Sequence, residues 1–536
     1  MTDAMFGAWE PGALPPVFDQ RDILQRVASP RQPIMVIREV STGRLGLAQG
    51  GRITSNASPD YTIVATLGAL YPEWLGDRGF CEAHGVRFPY VAGAMANGIA
   101  TADMVIAMAR AGMLGFFGAA GLGYEKVVAG IDRIIEGVSD LPQASWGANL
   151  IHSPNEPMLE DRVAQLFIER GVKRVSASAY MKLTPSIVWY AYKGVKTGPS
   201  GQILRDRYVF AKISRQETAR HFMNPAPEAM LRDLVERGRL TADEARLAEH
   251  LPVAEDITAE SDSGGHTDNR PLAALFPDVC AARDEVMQQR QYSRPIRVGA
   301  AGGLGTPGAL AGAFAMGAAY VLTGSVNQSA LEAGLSKEGK AMLALAGLTD
   351  VIMAPAADMF ELGVEVQVLR RGTMFGTRAQ KLHHYYTSYP SLDAIPQNER
   401  EQLEKRVLGE SIANIWADTA RFWGNRDPAE VERAERDPKH KMALVFRWYL
   451  GKASKWAIDG ESGRGLDYQI WCGPAMGAFN TWVKGSFLED PANREVAQIA
   501  LNLLEGAAVI TRAQQLRTLG VPVPASAFDF RPRPLR

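Results

Sequence analysis

Short apolar runs alternate with helical patterns between residues 88 and 323, and this alternation most constrains the fold. Strands separated by helical crossovers pair in parallel and are buried on both faces. Eight such units in about 240 residues have the size of a (β/α)8 barrel. We therefore predict an α/β fold, a (β/α)8 TIM barrel, with a doubly wound open sheet as the alternative. The predicted strands lie around residues 90–94, 113–117, 146–150, 174–178, 207–213, 256–260, 296–300 and 319–323.

The rest of the chain divides around this barrel. Residues 1–60 contain short possible strands and form a small N-terminal segment, and residues 61–330 form the barrel. Residues 331–460 are mostly helical in pattern and rich in charged and aromatic residues, which indicates an added helical subdomain. Residues 461–536 are expected to form C-terminal helices that pack back on the barrel.

Composition excludes several classes of protein. The chain has 58 Lys and Arg against 59 Asp and Glu, so it lacks the basic surplus of nucleic-acid binders. Three separated cysteines give no disulfide framework, and we expect a reducing, cytoplasmic location. No charged residue lies between Arg297 and Glu332, which is long enough for a bilayer, but the Gly- and Ala-rich composition and Pro307 argue against a membrane helix.

Loops at the carboxyl ends of barrel strands build the sites of this fold. Strand seven leads into AAGGLGTPG, in which Thr306 is a plausible N-cap and Pro307 the first helical residue. Strand eight leads into Thr323–Ser325. Glycines and a helix N-terminus in these two loops favour a phosphate site, and the alternative is that the glycines serve tight turns alone.

Three further strand ends carry candidate groups. The small residues Ala92 to Gly98 after strand one allow a flat ligand to lie against the backbone, or serve strand–helix packing. Asn149 can hydrogen-bond a ring edge, although a turn residue is the alternative. Lys212 points either into the barrel or to solvent, and a cation inside would stabilise an anionic ring or a phosphate.

The loop after strand six reads SDSGGHTD and raises the most specific hypothesis. Gly264 and Gly265 would let the backbone approach a planar ligand, and His266 would place a group that titrates near neutral pH beside it. Asp268 would orient the imidazole. A structural histidine in a turn is the alternative, and no metal-ligand spacing accompanies the histidine, so no metal site is predicted.

The runs GAMANGIAT, WGANLIHSPNEP, DSGGHTDNRP, GAAGGLGTP and TGSVNQ together resemble one family. This family comprises the PfaD-type flavin-dependent enoyl reductases of polyunsaturated fatty acid and trans-acyltransferase polyketide synthases. They are relatives of nitronate monooxygenases. The resemblance runs from about residue 30 to the end of the chain and includes DMFELGVEVQVLRRGTMFGTRAQKL.

The resemblance implies FMN in the barrel and NADPH or NADH as co-substrate for reduction of enoyl thioesters on acyl carrier protein. It implies that Asn149 and Lys212 face the flavin ring and that His266 acts as the proton donor. It further implies a flavin lining by Ala92, Gly93, Ala94 and Met95, and a phosphate site of Gly302, Gly303, Gly324 and Ser325.

Expected partners follow from the same resemblance. Acyl carrier protein domains would dock near the helical subdomain, where Arg370, Arg371, Arg378 and Lys381 could meet an acidic surface. Nucleic acid and membrane are not expected as partners, and a homodimer is one option. A nitronate monooxygenase-like flavin oxidase and a non-catalytic scaffold of a synthase are the alternative functions.

Overall fold

The computed structural model describes residues 7–55, 60–152 and 157–535. The first described elements form a five-stranded antiparallel sheet in the order β3-β2-β5-β1-β4. Two strands were predicted in this part of the chain, and the sheet extends beyond residue 60. Its strands are β1 (Ala8–Glu10), β2 (Ile34–Glu39), β3 (Leu45–Ala48), β4 (Arg52–Thr54) and β5 (Tyr61–Leu67), with helices α1 (Gln20–Val27) and α2 (Arg78–His84).

The predicted barrel is confirmed. Eight parallel strands close on themselves, so the open-sheet alternative is wrong. Each strand lies within a few residues of its predicted position. The strands are β6 (Tyr90–Ala92), β7 (Leu114–Phe117), β8 (Gly147–Ile151), β9 (Arg174–Ser178), then, after the short hairpin β10 (Lys196–Thr197) and β11 (Ile203–Leu204), β12 (Tyr208–Ile213), β13 (Asp256–Glu260), β14 (Arg297–Ala301) and β15 (Val321–Thr323).

Helices surround the barrel and begin where capping chemistry predicts. The Thr101 hydroxyl accepts the Met104 N–H, and the Thr306 hydroxyl accepts the Ala309 N–H. Three helices lie between β12 and β13. The helices are α3 (Ala102–Arg110), α4 (Tyr124–Gly137), α5 (Pro157–Glu169), α6 (Pro185–Tyr192), α7 (Gln216–Met223), α8 (Glu228–Glu236), α9 (Ala242–Ala248), α10 (Leu272–Arg290), α11 (Pro307–Ala315) and α12 (Ser325–Gln328).

The region after the barrel is helical, as predicted, except for one β-hairpin. Its strands, β16 (Val351–Pro355) and β17 (Glu365–Leu369), are each five residues long, too short for periodicity to separate them from helix. The helices are α13 (Lys337–Ala344), α14 (Phe375–Ser388), α15 (Gln397–Leu403), α16 (Ile412–Arg426), α17 (Pro428–Arg436), α18 (Pro438–Asp459), α19 (Ala475–Val483) and α20 (Val496–Thr518).

Helix α20 packs against α11. A Cβ added at Gly506 would lie 2.6 Å from Pro307 Cγ, so the glycine permits close approach to α11. By length and composition α20 is the one described helix that could cross a membrane, yet 72% of its apolar window is buried inside the protein. The charge-free stretch 298–331 is divided among β14, α11, β15 and α12.

The barrel interior is filled with side chains. Phe116, Phe210 and Tyr320 are buried in its centre, where the first two rings lie 5.0 Å apart and the last two 5.6 Å apart. A Cβ at Gly299 would lie 2.3 Å from the Tyr320 ring, so this strand position must lack a side chain. The interior is therefore a packed core and leaves chemistry to the strand ends.

A buried charge network closes the amino-terminal end of the barrel. His84 Nε2 lies 3.0 Å from Asp256, and Arg297 Nε donates to the same carboxylate at 2.7 Å. The Arg174 Nε–H points at His84 Nδ1, 3.2 Å away, which requires an unprotonated acceptor there. Burial lowers the pKa of His84, in agreement with a neutral ring. Burial alone would raise the pKa of Asp256, but His84 and Arg297 hold it below its usual range.

Replacing Asp256 by Ala should destabilise the protein strongly. Removing one partner of a buried ion pair leaves uncompensated charge and typically costs about 3–5 kcal/mol. The free energy of unfolding, measured by urea titration, would show the loss. Asp132→Ala, at the solvent-exposed pair with Arg170, is the matched control and should change stability little. Equal losses in the two variants would contradict the assigned importance of the network.

Candidate active site

An ion pair lies at the barrel mouth, the rim formed by the carboxyl ends of the eight strands. Lys212 lies two residues after the inward-facing Phe210, so it points into the barrel and not to solvent. Its Nζ is 2.7 Å from the nearer carboxylate oxygen of Glu260, the last residue of β13. The Ser263 hydroxyl donates to Glu260 at 3.2 Å. A cation and a carboxylate, each only partly exposed, therefore face the mouth together.

Asn149 also lies inside the mouth. Its amide donates to the Ser176 carbonyl oxygen and to the Ser178 hydroxyl, both at 2.9 Å. These bonds fix the orientation of the amide. Within the described residues, no hydrogen bond reaches its side-chain oxygen. A buried amide held by its nitrogen thus presents its acceptor oxygen, which suits recognition of a ligand N–H.

The glycines after β14 and β15 form a cradle. A Cβ built at Gly303 or Gly324 would have no neighbour within 4 Å, so space lies open beside both residues. Gly302 and Gly303 have φ values of +84° and +68°, which only glycine adopts readily. The Ser325 hydroxyl accepts the Gly473 N–H at 3.0 Å, which leaves its own proton free to donate. These features fit an anion such as a phosphate.

The loop after β6 lies beside the cradle but presents little side-chain surface. Ala92 is buried and packs outward in the core, and the Gly93 N–H donates to the Thr323 carbonyl oxygen. A Cβ at Gly93 would meet Leu322 at 2.5 Å. Ala94 and Met95 are partly buried. A ligand contact predicted for Ala92 or Gly93 would therefore come from the backbone, whereas the partly buried Met95 keeps some side-chain surface.

The loop that carries His266 is fastened by Gln367 of β17. Gly265 and Gln367 exchange two main-chain hydrogen bonds, at 3.0 and 2.8 Å. The Gln367 side-chain amide donates to Asp262 at 2.7 Å and to the Ser263 carbonyl oxygen at 2.8 Å, and its oxygen accepts from Asn269 at 3.2 Å. The loop is therefore a paired segment and not a free glycine-rich turn.

One prediction for this loop is wrong, and its two glycines contact parts of the chain that the sequence did not indicate. A Cβ at Gly264 would lie 2.8 Å from the Cys472 main-chain nitrogen, so close packing of a second backbone requires this glycine. The Gly265 main chain is committed to Gln367. Asp268 does not orient His266, because it accepts hydrogen bonds from Arg215 and Ser214. The bond from Arg215 lowers the pKa of Asp268.

His266 faces a different carboxylate, which the sequence did not indicate. Its Nε2 lies 3.3 Å from Asp358 Oδ2, in the segment that connects β16 and β17. Partial desolvation would raise the pKa of Asp358, but the neighbouring imidazole of His266 lowers it below its usual value. A half-exposed imidazole backed by a carboxylate is an arrangement that holds and transfers a proton.

A second histidine, His152, follows β8 at the same rim. Its Nδ1 lies 3.0 Å from the buried Glu160, and its ring stacks on Tyr180 at 5.4 Å. Glu160 also accepts the Tyr180 hydroxyl at 3.0 Å. Burial and the Glu160 charge raise the pKa of Tyr180 well above its usual value. The cluster is satisfied within the protein, which favours a supporting role for it.

Glu260, Asp358 and Gln367 are thus the site residues that sequence reasoning missed. Glu260 had a usable signal, since alternation along DITAE places Asp256, Thr258 and Glu260 on one face. Asp358 and Gln367 lie about a hundred residues beyond the barrel strand that they serve, and no local pattern marks them. Only the fold brings them to the mouth.

Gln367→Leu should loosen the His266 loop. The substitution keeps the side-chain volume but removes the bond to the Ser263 carbonyl and one hydrogen bond each from Asp262 and the Asn269 amide, which remain bonded to each other. Each lost hydrogen bond contributes about 0.5–1.5 kcal/mol. Hydrogen exchange of residues 261–271 should therefore become faster. Gln380→Leu, which loses one exposed bond to Met353, is the matched control. Unchanged exchange in Gln367→Leu would show that its side chain does not fasten the loop.

Known proteins resemble this chain over most of its length. One of the proteins that make up the polyunsaturated fatty acid synthase of Thraustochytrium sp. is 43% identical over 512 residues, which are 93% of this chain and 33% of that protein. Polyketide biosynthesis protein PksE of Bacillus subtilis is 44% identical over 438 residues, 82% of this chain and 56% of that protein. The chain therefore spans a third to just over half of these two relatives.

Residues 389–468 match a family model described as the inserted helical domain of [acyl-carrier-protein] S-malonyltransferase. Among solved structures, the crystal structure of the enoyl reductase domain of MlnA, from the macrolactin biosynthesis cluster of Bacillus amyloliquefaciens, superposes with a TM-score of 0.79. The two chains are 36% identical, over 83% of this chain and 99% of that one. A solved domain covered almost completely at this identity shows that the chain belongs to the PfaD-type family of polyketide and polyunsaturated fatty acid synthase enoyl reductases.

Proposed function

We propose that the chain is an FMN-dependent enoyl reductase that acts in trans. In this proposal it reduces α,β-unsaturated acyl thioesters on acyl carrier protein with NADPH or NADH, in polyketide or polyunsaturated fatty acid biosynthesis. The observation that carries the proposal is the open glycine cradle at the ends of β14 and β15, within the same mouth as Lys212 and the His266 loop. This fold commonly binds phosphate at those two loops.

The residues present fit FMN. The Gly303 and Gly324 backbones, with the free proton of the Ser325 hydroxyl, would hold the phosphate. The Asn149 side-chain oxygen would accept a ring N–H, and the Lys212 ammonium would favour negative charge on the ring. FMN held by these residues would supply the hydride-transfer chemistry between the nicotinamide and the β-carbon of the enoyl group. Gly264 and Gly265 are not part of this set.

The protein's own part in the reaction is positioning and proton transfer. Hydride addition to the β-carbon places negative charge on the thioester oxygen and the α-carbon, and a donor must then supply one proton. His266 is the candidate, since its half-exposed ring is backed by Asp358 and can regain a proton from solvent. The proton leaves an imidazole nitrogen as the electron pair of the enolate forms the new C–H bond.

Fewer basic residues are available for the proposed carrier-protein surface than the sequence suggested. Arg378 forms an ion pair with the buried Asp467, so it is committed inside the protein. Arg370 and Arg371 are more than half exposed and share only Asp350. Lys381 lies over the Tyr385 ring, 5.7 Å from its centre. Arg370 and Arg371 are therefore the basic groups that we propose for contact with a carrier protein.

Visible spectroscopy tests the cofactor and the reaction together. Protein incubated with FMN should show flavin bands that bleach with anaerobic NADPH or NADH and return when crotonyl-carrier protein is added as a separate chain. Bands that return only with air would favour the nitronate monooxygenase-like oxidase. An absence of bands after incubation with FMN would favour the non-catalytic scaffold.

A matched pair of glycine variants tests the cradle within this experiment. Gly324 has open space beside it, so the side chain of Gly324→Val would fill the cradle. We take the lost phosphate contact to contribute about 1.4 kcal/mol of binding free energy. Its loss should therefore weaken FMN binding about tenfold. Gly312→Val, on the exposed face of α11 with equally open surroundings, should bind FMN normally. Equal affinity in both variants would place the phosphate elsewhere.

His266→Gln should separate the two halves of the reaction. Bleaching by nicotinamide should remain, because it needs no proton from His266. Return of the flavin bands with crotonyl-carrier protein should slow roughly 100-fold, the usual contribution of a positioned general acid. Stopped-flow absorbance measures both rates, and an unchanged second rate would remove His266 from the mechanism and leave His152 as the next candidate.

A further inference from the structure

We propose that Asp358, which lies outside the barrel, is the positioning residue that orients the His266 imidazole and fixes which of its nitrogens faces the barrel mouth. The role of this contact in proton transfer rests on the proposed function, whereas the orientation of the ring can be tested without it. It makes the region after the barrel a part of the site and not only a cover or a docking surface.

The geometry assigns the two imidazole nitrogens different roles. Nε2 is the imidazole nitrogen that lies close to Asp358, 3.3 Å from the carboxylate oxygen Oδ2. No described residue forms a hydrogen bond with Nδ1. Because a carboxylate can only accept, Nε2 keeps its proton in both ionisation states, and Nδ1 is the atom that gains or gives one.

Asp358 is held in place by the helical region. The next aromatic residue, Phe360, is fully buried, with the rings of Tyr386 on α14 and Phe446 on α18 at 5.2 and 6.3 Å. Glu361 pairs with Arg447 of α18 at 3.1 Å. The segment that carries Asp358 is therefore fixed by two helices, and its carboxylate is brought to His266 by packing remote from the barrel.

The same hairpin holds the main chain of the histidine loop. The segment 356–364 is the connection between β16 and β17, closed by the bond from the Ala356 N–H to the Val364 carbonyl oxygen at 2.8 Å. Gln367, three residues further along, pairs with Gly265, next to His266. One hairpin thus fixes both the backbone and the ring of His266. Attachment of the loop at its main chain and at the imidazole ring restricts the orientation of His266.

Several other charged groups near the loop are committed elsewhere, and Arg270, in the loop itself, is exposed. Asp262 accepts from Gln367 and Asn269, and Asp268 accepts from Arg215. Lys212 and Glu260 pair with each other beneath the loop. On the far side, Arg447 of α18 is bound to Glu361. Asp358 is therefore the carboxylate that accompanies His266 within the described chain.

The arrangement gives proton transfer a direction. When His266 is doubly protonated, Asp358 stabilises the imidazolium through Nε2–H while Nδ1–H remains for donation. Donation breaks the Nδ1–H bond, the enolate electron pair forms the α-carbon C–H bond, and the ring is left neutral with Nε2–H still on Asp358. Solvent then restores the Nδ1 proton, since the His266 side chain is 44% exposed.

Nitrogen NMR of histidine-labelled protein tests the orientation without relying on activity. The chain has eight histidines, and the His266 signal is the one missing from His266→Gln. At alkaline pH, wild type should show a single Nε2–H tautomer for His266, and Asp358→Ala should show a mixture. Asp358→Glu should restore the single tautomer in part. Asp268→Ala, which removes a carboxylate two residues from His266, is the matched control and should keep the wild-type signal.

Kinetics give the second readout. Asp358→Ala should slow return of the flavin bands on the order of tenfold to a hundredfold, the effect of a misoriented catalytic group, with KM for the thioester and nicotinamide bleaching unchanged. If Asp358→Ala keeps both the wild-type tautomer and the wild-type rate, the inference is overturned even though enoyl reduction stands. If the tautomer responds but wild type reduces no enoyl thioester, the positioning stands and the proposed function fails.

Discussion

The main-chain pairing between Gly265 and Gln367 joins the loop after β13 to the hairpin of β16 and β17. Without this pairing, the loop after β13 would be a glycine-rich connection with a solvated histidine. The absence of a side chain at Gly264 lets the Cys472 main chain pack against the same loop, and Cys472 N–H in turn bonds to the Gln367 carbonyl oxygen at 3.3 Å. Three segments distant in sequence therefore meet at one strand end. The position of His266 depends on all three.

The parts of the fold that sequence reasoning predicted are those set by local chemistry. Alternation of apolar runs located all eight barrel strands, and hydroxyl capping located the start of α11. The inward direction of Lys212 was left open because strand boundaries decide it, and a shift of one residue reverses the face. The partner of His266 was predicted as Asp268 because proximity in sequence was the only guide. Packing of Phe360 among helices, not proximity, selected Asp358.

The two ends of the barrel show how burial decides the use of a charge. Along β13 the same face carries Asp256 at one end and Glu260 at the other. Asp256 is completely buried, and its neighbours His84 and Arg297 satisfy it, so its charge serves the structure. Glu260 and its partner Lys212 remain partly exposed at the mouth, where a ligand could contact them. One alternating pattern thus supplies both a closed lower end and a reactive upper end.

Stability does not explain why the chain brings Asp358 to His266. The two side chains are 61% and 44% exposed, and ion pairs of that kind contribute about 0–1 kcal/mol because water screens them. Ordering the segment that carries Asp358 has a conformational-entropy cost of about 1–2 kcal/mol for each residue fixed, which the burial of Phe360 must offset. A contact that yields so little free energy but requires so much fixed structure is best understood through orientation. An imidazole that must present one nitrogen and keep the other protonated needs a carboxylate held at a constant place, and the hairpin supplies it.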